Sequence, residues 1–286
     1  MTEFVVYDVF TRERFGGNPL AVIPDATALD EDDLQRIARE FNFPETAFVF
    51  PPEDPRHDAR VRIFTPTQEI PFAGHPTIGT AIALSELGQI QSSAVFELGV
   101  GPTPVTVDGG SASFVTRTPL RMWDGLTAGI VSRAISQPED AVRTDRHPPV
   151  IASVGLPFAI AELSGDAALE AAHADVSVFR EFEASWPAPA HFDLLVYLRD
   201  GPDIRARMFA PLDGIPEDPA TGSAAAALAA FLGQLEGQSA QFSITQGVEM
   251  GRPSLIHAEV EVADGAPVAV TISGHATQTM AGRLTI

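Results

Sequence analysis

One internal duplication limits what this chain can fold into more than any other feature. "RVRIFTP" at 60–66 returns as "RARMFAP" at 205–211, 145 residues later. The loops that follow end in Ile70-Pro71 and Ile215-Pro216 at the same offset. Pro76-Thr77-Ile78-Gly79-Thr80-Ala81 then aligns with Pro219-Ala220-Thr221-Gly222-Ser223-Ala224, 143 apart, and Gly88-Gln89-Ile90 with Gly233-Gln234-Leu235, 145 apart. Half of the 286 residues is 143, so one half-molecule made twice is the simplest account. Fainter echoes flank this core: "GNPLAVI" (17–23) with "GLPFAIA" (155–161), and "AFVF" (47–50) with "LLVY" (194–197).

Each half reads as strand, reversal, strand, then strand, loop, buried helix and further strands. Short runs of Val, Ile, Phe and Thr fill 94–116 and 242–272, with Asp-Gly hairpin signals at 108–109 and 264–265. The expected fold is therefore α/β of the α+β kind, a mostly antiparallel sheet rolled around one central helix, built twice with pseudo-symmetry. The first domain is expected over 1–120 with its helix about 76–88. The second spans 121–286 with its helix about 219–232, and the last strand is a candidate to return to the first domain. The stretches 118–149 and 163–190 read as variable connections carrying a surface helix or two.

Composition narrows the function classes. No apolar run reaches the ~18 residues a membrane span needs, and the start "MTEFVVYDVF" lacks the pattern of a signal peptide. Zero cysteines excludes disulfides, thiolate metal sites and thiol catalysis. A cytoplasmic enzyme is the expectation. Asp and Glu total 38 against 18 basic residues, all of them Arg. A net charge of −20 argues against nucleic-acid and anionic-membrane partners. Two causes stay open for this balance: GC-rich coding, or adaptation to a salty cytoplasm that screens an acidic surface.

The helix entrances carry the candidate chemistry. "PFAGHPTIGTAIALSELG" (71–88) and "PEDPATGSAAAALAAFLG" (216–233) put Pro76 and Pro219 at an expected first helical position, where a missing N–H costs nothing. His75 and Asp218 are then expected as N-caps. The free N–H groups at such ends attract an anion, most simply a substrate carboxylate. Two ends related by the repeat are expected to face each other across an interdomain cleft. Alone, Asp218 reads as a mere cap and His75 as a packed core histidine; their paired placement favours a ligand site.

One glutamate breaks the repeat. "FNFPETAFVF" (41–50) sets Glu45 among Phe41, Phe43, Phe48 and Phe50, and aligning "AFVF" with "LLVY" puts Phe192, not a carboxylate, opposite it. An apolar setting disfavours the charged form, so Glu45 is expected to hold a raised pKa and trade a proton in either direction. The plain alternative is a solvated residue at a turn before a strand.

"DVFT…FGGNPLAVI", "NFPETAFVF", "RIFTP…EIPFAGHPTIGTA", "RMFAP…PEDPATGSA" and "QGVEMGRPS" together resemble the phenazine-biosynthesis PhzF-like isomerase family, in order and over most of the chain. The resemblance implies the diaminopimelate epimerase-like fold: two similar domains, each a sheet rolled around a central helix. It implies that Glu45 is the catalytic carboxylate, taking a proton from one carbon and returning it to another. It implies catalytic roles for His75 and Asp218, and substrate contacts from Gly74, Gly222 and Ser223. It implies no cofactor, no metal, a small substrate bearing a carboxylate, and a homodimer. The epimerase relatives place a cysteine in each half; with none here, two-thiol racemisation is excluded. Pro44 departs from the phenazine enzyme, which carries a small polar residue before the glutamate. The activity expected is a cofactor-independent proton and double-bond shift, with trans-2,3-dihydro-3-hydroxyanthranilate isomerase as one candidate. The alternatives are a related isomerase or epimerase of another metabolite, and a non-catalytic small-molecule-binding homologue.

Other chemistries fit less well. "TGSAA" lacks the spacing of a nucleophile elbow, and the seven histidines never approach H-x-x-x-H. His275 in "GHATQT" reads as part of a strand-edge turn.

Overall fold

The computed structural model describes residues 2–184, 186, 188 and 191–285. It divides into two compact units, Met1–Val115 with Ile272–Ile286, and Thr116–Thr271. In the first lie β1 (Thr2–Val9), β2 (Asn18–Ile23), α1 (Glu31–Phe41), β3 (Glu45–Phe50), β4 (Ala59–Phe64), β5 (Glu69–Ile70), α2 (Gly74–Glu86), β6 (Ser93–Leu98), β7 (Gly101–Asp108) and β8 (Ser111–Thr116). The second holds β9 (Arg121–Trp123), α3 (Ala128–Ala134), β10 (Val150–Ser153), β11 (Pro157–Glu162), α4 (Asp166–Ala171), α5 (Val176–Glu183), β12 (Leu194–Asp200) and β13 (Asp203–Ala210). It continues with β14 (Ile215–Asp218), α6 (Gly222–Glu236), β15 (Ala240–Gln246) and β16 (Ser254–Ala263). The long β17 (Ala266–Leu284) begins in the second unit and ends in the first.

Strand pairing repeats in order. In the first unit β1–β2 is antiparallel, β2–β3 parallel, β3–β4 antiparallel, β4–β6 parallel and β6–β7 antiparallel. In the second, β10–β11, β11–β12, β12–β13, β13–β15 and β15–β16 follow the same alternation. The first unit's ladder continues through β8 to β17, and β17 pairs back onto β1, so the sheet closes on itself. The duplication in sequence is thus a duplication of topology.

Each rolled sheet encloses a helix that is apolar on every side. Residues Gly74 to Leu84 of α2 are all buried, as are Gly222 and Ala224 to Gly233 of α6. A helix buried all round has no polar face to give to water, so it must lie inside the sheet. Gly79 shows how closely α2 approaches: a Cβ there would sit 2.6 Å from both Leu20 Cδ2 and Val9 Cγ2. The amphipathic helices cover outer faces instead. In α1, Leu34, Ile37 and Ala38 pack with Phe48 and Phe64. Helices α3, α4 and α5 occupy the two variable connections, and α3 and α5 pack on Phe192, Leu194 and Val196.

Several expectations need correction. The central helices begin at Gly74 and Gly222, not at Pro76 and Pro219, and their N-caps are Ala73 and Thr221, not His75 and Asp218. Pro76 is tolerated because the whole first turn lacks intrahelical N–H partners. Asp218 ends strand β14, since the proline after it disfavours helical dihedrals at that position. The first hairpin turns at Gly109-Gly110, between paired Asp108 and Ser111, one residue later than expected. His275 lies inside β17 rather than at a turn, with its carbonyl accepting from Phe10 N at 2.6 Å.

Candidate active site

Glu45 opens β3 and pairs in parallel register with Leu20 of β2. Its Oε2 lies 3.3 Å from Nδ1 of His75, in the first turn of α2. The glutamate side chain is 14% exposed and the imidazole 3%. Three of the four phenylalanines expected around Glu45, Phe41, Phe48 and Phe50, pack elsewhere. Side chains alternate along a strand, so Phe48 falls on the opposite face, in the cluster beneath α1, with Phe41 and Phe50 packed against the same cluster. His75 of α2 lies against Glu45 instead.

Burial pushes the His75 imidazolium down to about 3, against a weaker opposing effect from the Pro19 carbonyl. The ring is therefore neutral at pH 7. A neutral imidazole beside a carboxyl group can donate to the carboxylate or accept from the acid, so it accommodates either protonation state of Glu45. The N-cap residue of α2, Ala73, offers no side-chain cap, and the first N–H groups of any helix have no partner within it.

The second unit builds its counterpart from β14, α6 and β15. Asp218 is 8% exposed and pairs with Met208 across the sheet. The Thr221 hydroxyl donates to Asp218 Oδ2 instead of capping α6, so the helix that opens with Gly222 and Ser223 has no side-chain cap. Buried Gln246 ties this turn together. Its Nε2 donates to the Asp218 carbonyl at 2.7 Å and to Thr221 Oγ1 at 3.2 Å, and its Oε1 accepts from Thr221 N at 3.3 Å. Next to it Gly247 has φ +75°, and a Cβ there would fall 2.5 Å from the Arg252 carbonyl and 2.7 Å from that of Pro219. Arg207 fixes β14 from behind with two 2.8 Å bonds to Glu217.

Sequence reasoning missed Thr221, Gln246 and Asp193. "QGVEMGRPS" contained Gln246, but only the fold shows that it returns to the helix entrance. The pairing of Phe192 with Glu45 was one residue off: Thr46 sits opposite Phe64 and Leu194 opposite Phe209, the same position of the repeated motif. Glu45 thus matches Asp193. Both strands are apolar on both faces, so their sequence pattern does not fix register. Among the described residues, no group of three or more His, Asp or Glu is placed to hold a metal ion.

Two units, each a sheet rolled around one buried helix, with acidic and imidazole groups at the helix entrances, define a protein of the diaminopimelate epimerase-like fold. The family described as phenazine biosynthesis-like protein (PhzC-PhzF) matches residues 7–282. An uncharacterised isomerase of Mesorhizobium japonicum is 37% identical, over 99% of this chain and 98% of its own length. The trans-2,3-dihydro-3-hydroxyanthranilate isomerase of Pseudomonas aeruginosa is 36% identical over 99% of each chain. The crystal structure of a PhzF-family protein from Bacillus anthracis superposes with a TM-score of 0.89 at 24% identity, covering 100% of this chain and 99% of that one. The chain belongs to the PhzF family of isomerases.

Proposed function

We propose that the protein is a cofactor-independent isomerase acting on trans-2,3-dihydro-3-hydroxyanthranilate, with Glu45 as the group that moves the proton. The Glu45–His75 contact of 3.3 Å carries this reading, and the curated activity of a relative 36% identical over nearly the whole chain supports the substrate. As a carboxylate Glu45 takes a proton from one ring carbon, and the electron pair left behind shifts the double bonds. As the resulting acid, whose O–H exchanges with solvent, it delivers a proton to another carbon, so nothing is gained or lost overall. Neutral His75, as the tautomer protonated at Nδ1, donates to the Glu45 carboxylate and so positions it for proton abstraction.

In the second unit Asp218 is assigned the role of second acid. Gly74, Gly222 and Ser223 are assigned to the substrate, with uncapped backbone N–H groups and the Ser223 hydroxyl as donors for its carboxylate. The reading includes a homodimer in the cytoplasm, without nucleic-acid or membrane partners. Light scattering checks the dimer: twice the chain mass supports it and a single chain mass refutes it.

Incubating the protein with trans-2,3-dihydro-3-hydroxyanthranilate in D2O, followed by proton NMR, tests the substrate. Conversion with deuterium at a ring carbon is expected. An unchanged substrate under conditions where the Pseudomonas enzyme converts it would overturn the assignment, in favour of another small carboxylate.

A further inference from the structure

The second unit carries a cavity at the far end of α6, away from the helix entrance. It measures about 430 Å³, and every residue lining it belongs to that unit. Glu236, the last residue of α6, is one of them. Along the helix that is about 20 Å from Gly222. Strands β11 and β12 supply its buried polar groups. Parallel pairing puts Glu162 beside Tyr197, and Arg199 follows two residues later on the same face of β12. His147 Nδ1 meets the Pro148 carbonyl at 2.7 Å, and a carbonyl only accepts, so that nitrogen carries the proton. Nε2 of the neutral ring then receives the Tyr197 hydroxyl at 2.7 Å. Burial first, then the charge of Glu162, push the Tyr197 phenol up, so it keeps the proton it donates.

One acceptor is left over. The Glu162 side chain is 2% exposed, and its Oε1 takes both neighbouring guanidinium groups, Arg143 at 3.2 Å and Arg146 at 2.8 Å. Its Oε2 meets only His147 Nε2, at 3.9 Å, and the neutral ring has no proton there to give. Among the described residues, no donor is within hydrogen-bond reach of Oε2. A buried charged oxygen without a donor is costly. Donors are left over as well. Arg146 spends Nη1 on Glu162, while Arg199 spends Nε on the Gly201 carbonyl at 2.7 Å and Nη1 on Glu236. The Nη2 of each has no partner among the described residues. The charges of Arg146, Arg199, Glu162 and Glu236 cancel around the cavity, and Leu232 and Leu235 give it an apolar wall.

We propose that this cavity is a second small-molecule site, which binds a zwitterionic amino acid with an apolar side chain. The ammonium group donates to Glu162 Oε2, the carboxylate accepts from Nη2 of Arg146 and Arg199, and the side chain lies against Leu232 and Leu235. A lone anion leaves Oε2 without a donor, and a lone cation leaves both guanidinium groups without an acceptor. A ligand with both charges serves both and adds no net charge to a balanced site. The volume falls within the ~300–1,000 Å³ of small-ligand pockets. The site uses neither Glu45 nor Asp218, so it stands apart from the isomerase reading.

Calorimetric titration of the full chain at neutral pH with L-phenylalanine, phenethylamine and hydrocinnamate tests the site. The three probes share an aromatic side chain and differ in charge. Saturable one-to-one binding of L-phenylalanine is expected, with each single-charge probe weaker by about tenfold or more, because each leaves a buried polar group unpaired. Arg146→Gln and Leu235→Asp should each weaken L-phenylalanine binding about tenfold, the first through the carboxylate and the second through the apolar wall. Both side chains are about half exposed, so these variants should stay folded, which circular dichroism checks. No binding of L-phenylalanine at millimolar concentration would overturn the proposal. Equal binding of the three probes, or wild-type affinity in folded Arg146→Gln, would overturn it too. The outcome is independent of whether the protein turns over any substrate.

Discussion

Two kinds of work meet in single side chains at the helix entrances. Buried His75 holds its proton only below about 3, against an ordinary value of 6.5. As pH falls through 6.5 the unfolded chain takes up a proton that the folded one refuses. The stability contributed by burying neutral His75 is therefore intact above 6.5 and lost progressively toward 3. Asp193 acts with the opposite sign, since its raised carboxyl favours the folded state at low pH. His75→Gln should shrink the acid loss between pH 6.5 and 3 in denaturant titrations at stepped pH; curves parallel to wild type would contradict this. Gln246→Ala should cost about 1–3 kcal/mol in the same assay, because it strips buried partners from Asp218 and Thr221. It should also raise KM more than it lowers kcat; an unchanged KM would count against its role in shaping the entrance. Glu45, His75 and Asp218 could be singled out in the sequence because each stands in a distinctive motif, and the fold sets Glu45 against His75. The tie that Gln246 makes to the Asp218–Thr221 turn was not legible, since it depends on strands that meet only in the fold.

Helix α2 illustrates how an element's surroundings override its propensities. Alanine is the better helix former by about 1 kcal/mol. Yet Gly79→Ala would drive a methyl into stiff Val9 and against Leu20, and overpacking costs about 1–3 kcal/mol. A net loss of stability of up to about 2 kcal/mol is expected from chemical denaturation, and a more stable variant would contradict this packing. At this scale the sequence revealed the existence of both central helices, because runs such as "TGSAAAALAAFLG" admit no polar face. Their starting points were misread. A proline marks the first turn of α2 but not its first residue, and the proline at 219 precedes α6 altogether. Register between β3 and β12 was likewise illegible, as both strands alternate apolar with apolar.

At the scale of the whole molecule, the duplication was the most readable feature, since matched strand, loop and helix signals recur in order. What the duplicated topology adds is the equivalence of Glu45 and Asp193, which turns an apparent asymmetry into a pair of related carboxylates with different partners. The chain as a whole bears a net charge of −20, and such self-repulsion weakens as salt screens it. The melting temperature should rise from low to molar KCl; a flat or falling trend would contradict the electrostatic argument. The central claim, that Glu45 moves the proton, is tested most directly by single-turnover kinetics of trans-2,3-dihydro-3-hydroxyanthranilate with wild type and Glu45→Gln. A folded Glu45→Gln variant slowed about 10²–10⁴-fold is the expected result. Turnover at the wild-type rate in that variant would contradict the account.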